Sequence, residues 1–261
     1  IGHVSGCHLN PAVTVGLVAG EIVPLDYGAK VIGRQGPWGI GALTVHTGDT
    51  PAAPATTLSA ARVSRDLGEH LRLGMTGPLG DPSGLVDNWL GGVDAVWQSS
   101  TFLGDRNLTA GAWWAESGGD EPAPSSPEEP IPGSGPDGSD QAWGLLVDYP
   151  NDRWDNAFSF KSIGRSFRPA LGFLPRADIR LYRGHLSFQP RPTSPLWAQR
   201  IRQFFFELGA NYVTDHSGRS QSWDGTVTPM ASETPHGPRF ETSWLPQFDR
   251  LEDPFEVSED V

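Results

Sequence analysis

LRLGMT, residues 71–76, decides the fold: Leu71, Leu73 and Met75 alternate with Arg72, Gly74 and Thr76, apolar against polar or small. A period of two is the geometry of a β-strand, whose successive side chains point to opposite sides of a sheet. The alternation recurs along the chain. Trp89, Val93, Ala95 and Trp97 alternate with Asp94, Val96 and Gln98, and Trp143, Leu145, Val147 and Tyr149 with Gly144, Leu146 and Asp148. Later, Phe204, Phe206, Leu208, Ala210 and Tyr212 face one way and Glu207, Gly209 and Asn211 the other. Many residues on the second face are small.

A soluble β-sandwich shows the same alternation, so the connections carry the distinction. Tight links at Asp66–Gly68, Gly104–Arg106 and Pro150–Arg153 take turns with long ones at His46–Thr56, Pro78–Asp87, Ser117–Asp140 and Gly164–Asp178. Short turns at one rim and long loops at the other are the pattern of outer-membrane barrels. The expected fold is therefore all-β, an antiparallel meander forming part of an outer-membrane-type β-barrel. About ten strands are expected in one sheet over Ala29–Leu245, with regular alternation beginning at Leu25.

Composition agrees with a turn-rich β protein. The 261 residues include 32 Gly and 24 Pro without a collagen period, and 10 Trp and 12 Phe, far too many for a disordered chain. A formal net charge of -12, with Lys30 and Lys161 the only lysines, leaves no basic run to displace counterions, which argues against a nucleic-acid partner. The single cysteine, Cys7, excludes a disulfide framework and a cysteine zinc site. No stretch of roughly 18 apolar residues is present, so no ordinary transmembrane helix is expected. The start, Ile1-Gly2-His3, lacks Met and signal-peptide features, and the chain is read as a fragment.

The segment 116–140, ESGGDEPAPSSPEEPIPGSGPDGSD, is acidic, rich in Pro, Gly and Ser, and has no basic residue. Such a sequence buries little apolar surface, and a mobile, solvated loop is expected there, with a cation or ligand collector as its functional reading. Removing it should leave the flanking strands 107–115 and 141–149 intact.

Residues 2–20, GHVSGCHLNPAVTVGLVAG, closely resemble the first Asn-Pro-Ala loop and half-helix of the aquaporins, with Ser5-Gly6, His8 and Asn10-Pro11-Ala12-Val13-Thr14 in the family order. The resemblance implies a pore motif at Asn10, Pro11 and Ala12, with Pro11 opening a half-helix and Asn10 donating to a passing water. A short isolated helix over 12–18 is expected, and 1–24 forms a separate aquaporin-like piece. An aquaporin needs six membrane helices and a second such half-helix, and neither is present in this sequence.

The stretches Ala29–Arg34 with Gly36-Pro37-Trp38, Asp148–Trp154, Phe167–Arg176 and Leu251–Glu256 resemble an uncharacterised bacterial family. In that family a barrel-like domain follows a module similar to the family-nine carbohydrate-binding modules. The resemblance runs from about residue 21 to the end and implies an outer-membrane location, a lipid bilayer partner and a polysaccharide link. The sugar-binding-like module is absent and the aquaporin-like piece stands in its place, so the chain reads as a fusion with 25–261 an incomplete barrel. The acidic tail 257–261 lacks the terminal aromatic of a barrel-closing strand.

Candidate chemistry is thin. Asp148, Asp152 and Asp155 surround the turn Tyr149–Trp154, and paired carboxylates serve acid–base hydrolysis at suitable separation. Asn and Asp are equally turn formers that bond their own backbone, which is the reading preferred here. The seven histidines, His3, His8, His46, His70, His185, His216 and His236, show no ligand spacing, and Gly39-Ile40-Gly41 falls within a strand rather than before a helix. No catalytic residue, cofactor or metal site is therefore expected, and the chain is read as not an enzyme. The readings in competition are an outer-membrane barrel segment with a transport, receptor or attachment role, a water channel resting on the first twenty residues, and a secreted carbohydrate-active enzyme.

Overall fold

A computed structural model describes residues 24–51, 53–120, 140–172 and 174–250. Asn10, Pro11 and Ala12, the helix expected over 12–18, most of the acidic loop and the tail beyond 250 lie outside the described residues.

Among the described residues thirteen strands form an antiparallel sheet, the first twelve of them a meander: β1 (Leu25–Gln35), β2 (Trp38–Thr47), β3 (Thr57–Leu67), β4 (Leu71–Leu79), β5 (Asn88–Phe102), β6 (Arg106–Gly119), β7 (Gln141–Pro150), β8 (Trp154–Ile163), β9 (Ile179–Phe188), β10 (Gln203–Asp215), β11 (Ser220–Glu233), β12 (Arg239–Trp244) and β13 (Gln247–Asp249). Strand order follows chain order from β1 to β12, and β13 pairs with β11. The count exceeds the expected ten partly because β13 lies beyond Leu245 and because β12 and β13 are short and exposed throughout. One helical turn, α1 (Pro195–Ala198), interrupts the strands.

The chain divides into two compact units, one made of Ile1–Tyr149 with Ser159–Ile179 and one of Pro150–Phe158 with Arg180–Val261. In the described part of the first unit, connections alternate as expected. Gln35 pairs Trp38 across the two-residue turn Gly36-Pro37, and Gly36 sits at φ 57°, a left-handed conformation that glycine adopts without a Cβ clash. Residues 48–56, 80–87 and 164–178 are the long partners of such turns.

The second unit breaks this rule. Residues 189–202 make a long link where a tight turn was due, and 216–219 a tight one where a long loop was due. Pro190, Pro192 and Pro195 explain the first: each fixes φ and lacks an N–H, so no two-residue hairpin forms, and Pro195 instead opens α1. The link is tied back by the Phe204 amide donating to Pro190 O at 3.0 Å and by Gln203 Nε2 donating to Gln189 O at 3.0 Å.

The acidic segment also begins later than expected. β6 continues through Gly119, with Glu116 opposite Gln141 and Ser117 opposite Leu90, because long β5 offers ladder partners to that point. The collector reading of residues 121–139 lies outside the described residues.

Buried apolar residues form two small groups in the first unit. Leu90, Ala115, Ala142 and Phe167 make one, and Leu58 with Leu171 the other. Exposed large apolar residues are far more numerous than buried ones, the reverse of an ordinary domain interior.

Candidate functional site

Register places the exposed residues on one face of the β2–β7 sheet. Ile40 pairs Val63, Val63 pairs Met75, Met75 pairs Val93, Val93 pairs Trp114 and Trp114 pairs Trp143, one unbroken apolar row across six strands. A parallel row runs through Leu73, Ala95, Ala112 and Leu145. Met75 is 64% and Val93 49% exposed, so no described residue covers the centre of this face. The one charge in these rows is Arg65, whose guanidinium lies 4.9 Å from the Trp38 ring centroid, its stem spread over apolar surface. A contiguous apolar patch of this extent marks contact with a partner or a membrane.

The opposite face is polar and closely fitted. Arg62 on β3 reaches Asp94 on β5 at 2.7 Å, crossing β4 at Gly74, where a Cβ would collide with both groups. Glycine here is a packing requirement, since the ion pair occupies the space of a side chain. Asp66 accepts from Arg34 on β1 and from Arg72 Nε on β4, the latter at 2.6 Å. At Gly144 the same device recurs, the Trp113 indole lying over the strand. Arg62, Ser64, Asp66, Arg72, Asp94 and Gln98 line a recess of about 320 Å³.

Toward the long connections, the polar face is covered by the link between β8 and β9. Phe167 packs on Leu90 of β5, Ala115 of β6 and Ala142 of β7, and Leu171 packs on Leu58 of β3. The buried Asn88 side chain donates to Arg168 O at 3.1 Å and accepts from the Ala170 amide at 3.1 Å. Ser117 Oγ accepts from the Arg168 amide at 2.8 Å, and the Arg168 guanidinium meets Asp81 at 3.3 Å and Asp120 O at 2.8 Å. Sequence reasoning recognised this stretch as a long link and as part of the family resemblance, and gave it no packing role. Its signal was Phe167 and Leu171, two large apolar residues in a connection that has no strand to bury them.

Asp148 stands opposite Thr109 in the β6–β7 ladder, Asp152 forms an ion pair with Arg191 at 2.5 Å, and Asp155 lies in β8. His46 Nδ1 lies 2.9 Å from Thr57 Oγ1, and His70 Nδ1 donates to Gln98 O at 2.8 Å, each a local backbone or strand contact. Among the described residues no group of three or more His, Cys, Asp or Glu could hold a metal ion, and no helix is long and apolar enough to cross a membrane.

No family model matches the chain. Two curated proteins match short pieces of it. Aquaporin Z of Rhodopseudomonas palustris is 60% identical over 35 residues, 13% of this chain, and Aquaporin Z of Bradyrhizobium diazoefficiens is 79% identical over 24 residues, 9% of it. The matches span 15% and 10% of the lengths of those proteins.

Proposed function

We propose that the chain is a segment of an outer-membrane-type β-barrel protein of the bacterial envelope, with its apolar face against lipid and its polar face toward water. The observation that carries the reading is the row from Ile40 to Trp143, uncovered by any described residue and backed by a polar face on which the Arg62–Asp94 ion pair lies over Gly74. A strand pattern of apolar-out and polar-in suits a bilayer wall, where every backbone group is paired within the sheet and only side chains meet lipid. A binding, transport or attachment role linked to polysaccharide is the finer form of this proposal and rests on the family resemblance of residues 21–261 alone. The proposal includes no catalytic group.

The test uses the chain's own tryptophans. Refolded into vesicles whose acyl chains carry bromine at mid-depth, the protein should show strong quenching of its Trp emission, because Trp114 and Trp143 lie in the central apolar row. Emission equal to that in unbrominated vesicles would remove the lipid-facing reading.

The water-channel reading is supported by the two short Aquaporin Z matches. Osmotic flux through proteoliposomes is expected to stay at the lipid background. Flux above background that Asn10→Asp abolishes would reverse that expectation.

A further inference from the structure

We infer that residues 166–172 are a fixed strap that closes the polar face at its long-connection end, so that any aqueous path along that face is blocked in the resting protein. The inference rests on the barrel reading above and adds to it a state of the interior. Three observations within one unit support it.

First, the strap travels across strands rather than away from them. It leaves β8 at Ile163, buries Phe167 against β5, β6 and β7, and buries Leu171, 2% exposed, against Leu58 of β3. Strands lie about 4.8 Å apart, so the five spacings from β8 to β3 amount to roughly 24 Å measured along the sheet. An ordinary hairpin loop has no cause to reach a strand so remote in order. Second, its backbone is held by side chains made for the purpose. Asn88, 7% exposed, satisfies both Arg168 O and the Ala170 amide, and Ser117, 1% exposed, satisfies the Arg168 amide. Both side chains also bond their own sheet, Asn88 Nδ2 donating to Gly118 O at 3.3 Å and Ser117 Oγ to Asp140 O at 3.4 Å, so they are held in place to receive the strap. Third, the base is pinned separately. Arg165 Nη2 meets Asp178 at 2.9 Å, so both ends of the crossing are set before its middle is considered.

The residues beneath the strap belong to the polar face. Leu90 and Asp94 lie on the same side of β5, and Leu58 and Arg62 on the same side of β3. The recess around Arg62 and Asp94 is therefore open along the face in one direction and covered in the other. Barrel interiors conduct according to what fills them, and inward-folded loops are one way of filling them.

The experiment replaces residues 166–177 by a short Gly-Ser linker in the full chain, keeping Arg165 and Asp178, and compares both proteins in brominated vesicles loaded with a small fluorescent anion. Equal Trp quenching with release faster by about tenfold or more in the replaced protein is the expected result, because removal of a lumen-filling loop opens the path. Equal quenching with equal release overturns the strap. Absence of quenching in the intact protein removes the barrel reading, and the strap's role with it. If only the replaced protein fails to insert, Asn88→Ser, which loosens the strap and keeps its sequence, is judged by the same release criterion. A second readout needs no flux: with Cys7→Ser, Ala142→Cys should react with a water-soluble maleimide about tenfold faster once the strap is replaced, in line with opening of a wholly buried site. An unchanged labelling rate also counts against the strap.

Discussion

The two faces of the β2–β7 sheet bury their side chains by different means. On the polar face large groups fit against small residues: Arg62 and Asp94 over Gly74, Trp113 over Gly144, and Phe167 on Ala115 and Ala142. On the apolar face Ile40, Val63, Met75, Val93, Trp114 and Trp143 stand side by side with no described residue above them. Internal packing thus stabilises one face, while the other depends on what surrounds the protein. Substitutions that disturb those fitted contacts should change stability in any solvent, and under the proposed lipid-facing reading substitutions on the second face should change it through the bilayer.

The largest effect is expected at the strap. Phe167→Ala removes a ring 7% exposed in the larger apolar cluster and should lower unfolding free energy by about 3–5 kcal/mol, read from the urea midpoint of vesicle-bound protein. A change below 1 kcal/mol would mean that the strap is held by its hydrogen bonds alone.

Val93→Arg comes next. At the centre of the apolar row it should cost about 2–4 kcal/mol of stability in lipid, while Ser64→Arg on the polar face should cost little. Equal effects at both positions would erase the distinction between the faces. That outcome would be read from paired denaturant titrations in the same vesicles.

Smaller again is Gly74→Ala, whose new methyl forces the Arg62–Asp94 pair apart, at about 1–3 kcal/mol. Gly41 serves as the control, since a Cβ there meets nothing within 4 Å and Gly41→Ala should be close to neutral. The smallest effect belongs to Arg65→Gln, which removes the cation from the Trp38 ring at a cost of about 0.5–1 kcal/mol. A double-mutant cycle with Trp38→Leu isolates that coupling.

Much of this was legible before any coordinates. The period-two runs at 71–76, 89–98 and 143–149 place the right residues on the right faces, because a strand's side-chain direction is a local property of the backbone. The tight links at 66–68 and 104–106 also announce themselves through turn chemistry. The alternation of connection lengths failed beyond β9, where three prolines in 190–195 replace a hairpin with a long link. The expected start of the acidic loop at Glu116 was too early because ladder pairing with β5 and β7 outweighs a composition that weakly favours strands.

What the sequence by itself determined is the strand class, the two chemical faces and the antiparallel meander, all of which follow from period and turn residues within a few positions of one another. Tertiary structure alone decided which residues meet across that meander: that Arg62 finds Asp94 over Gly74, that Asn88 takes hold of the backbone at 168 and 170, and that Leu171 ends against Leu58. The reason is register. Partners separated by 32, 80 and 82 positions are joined only when several hairpins align together, and no local pattern encodes the sum of those alignments.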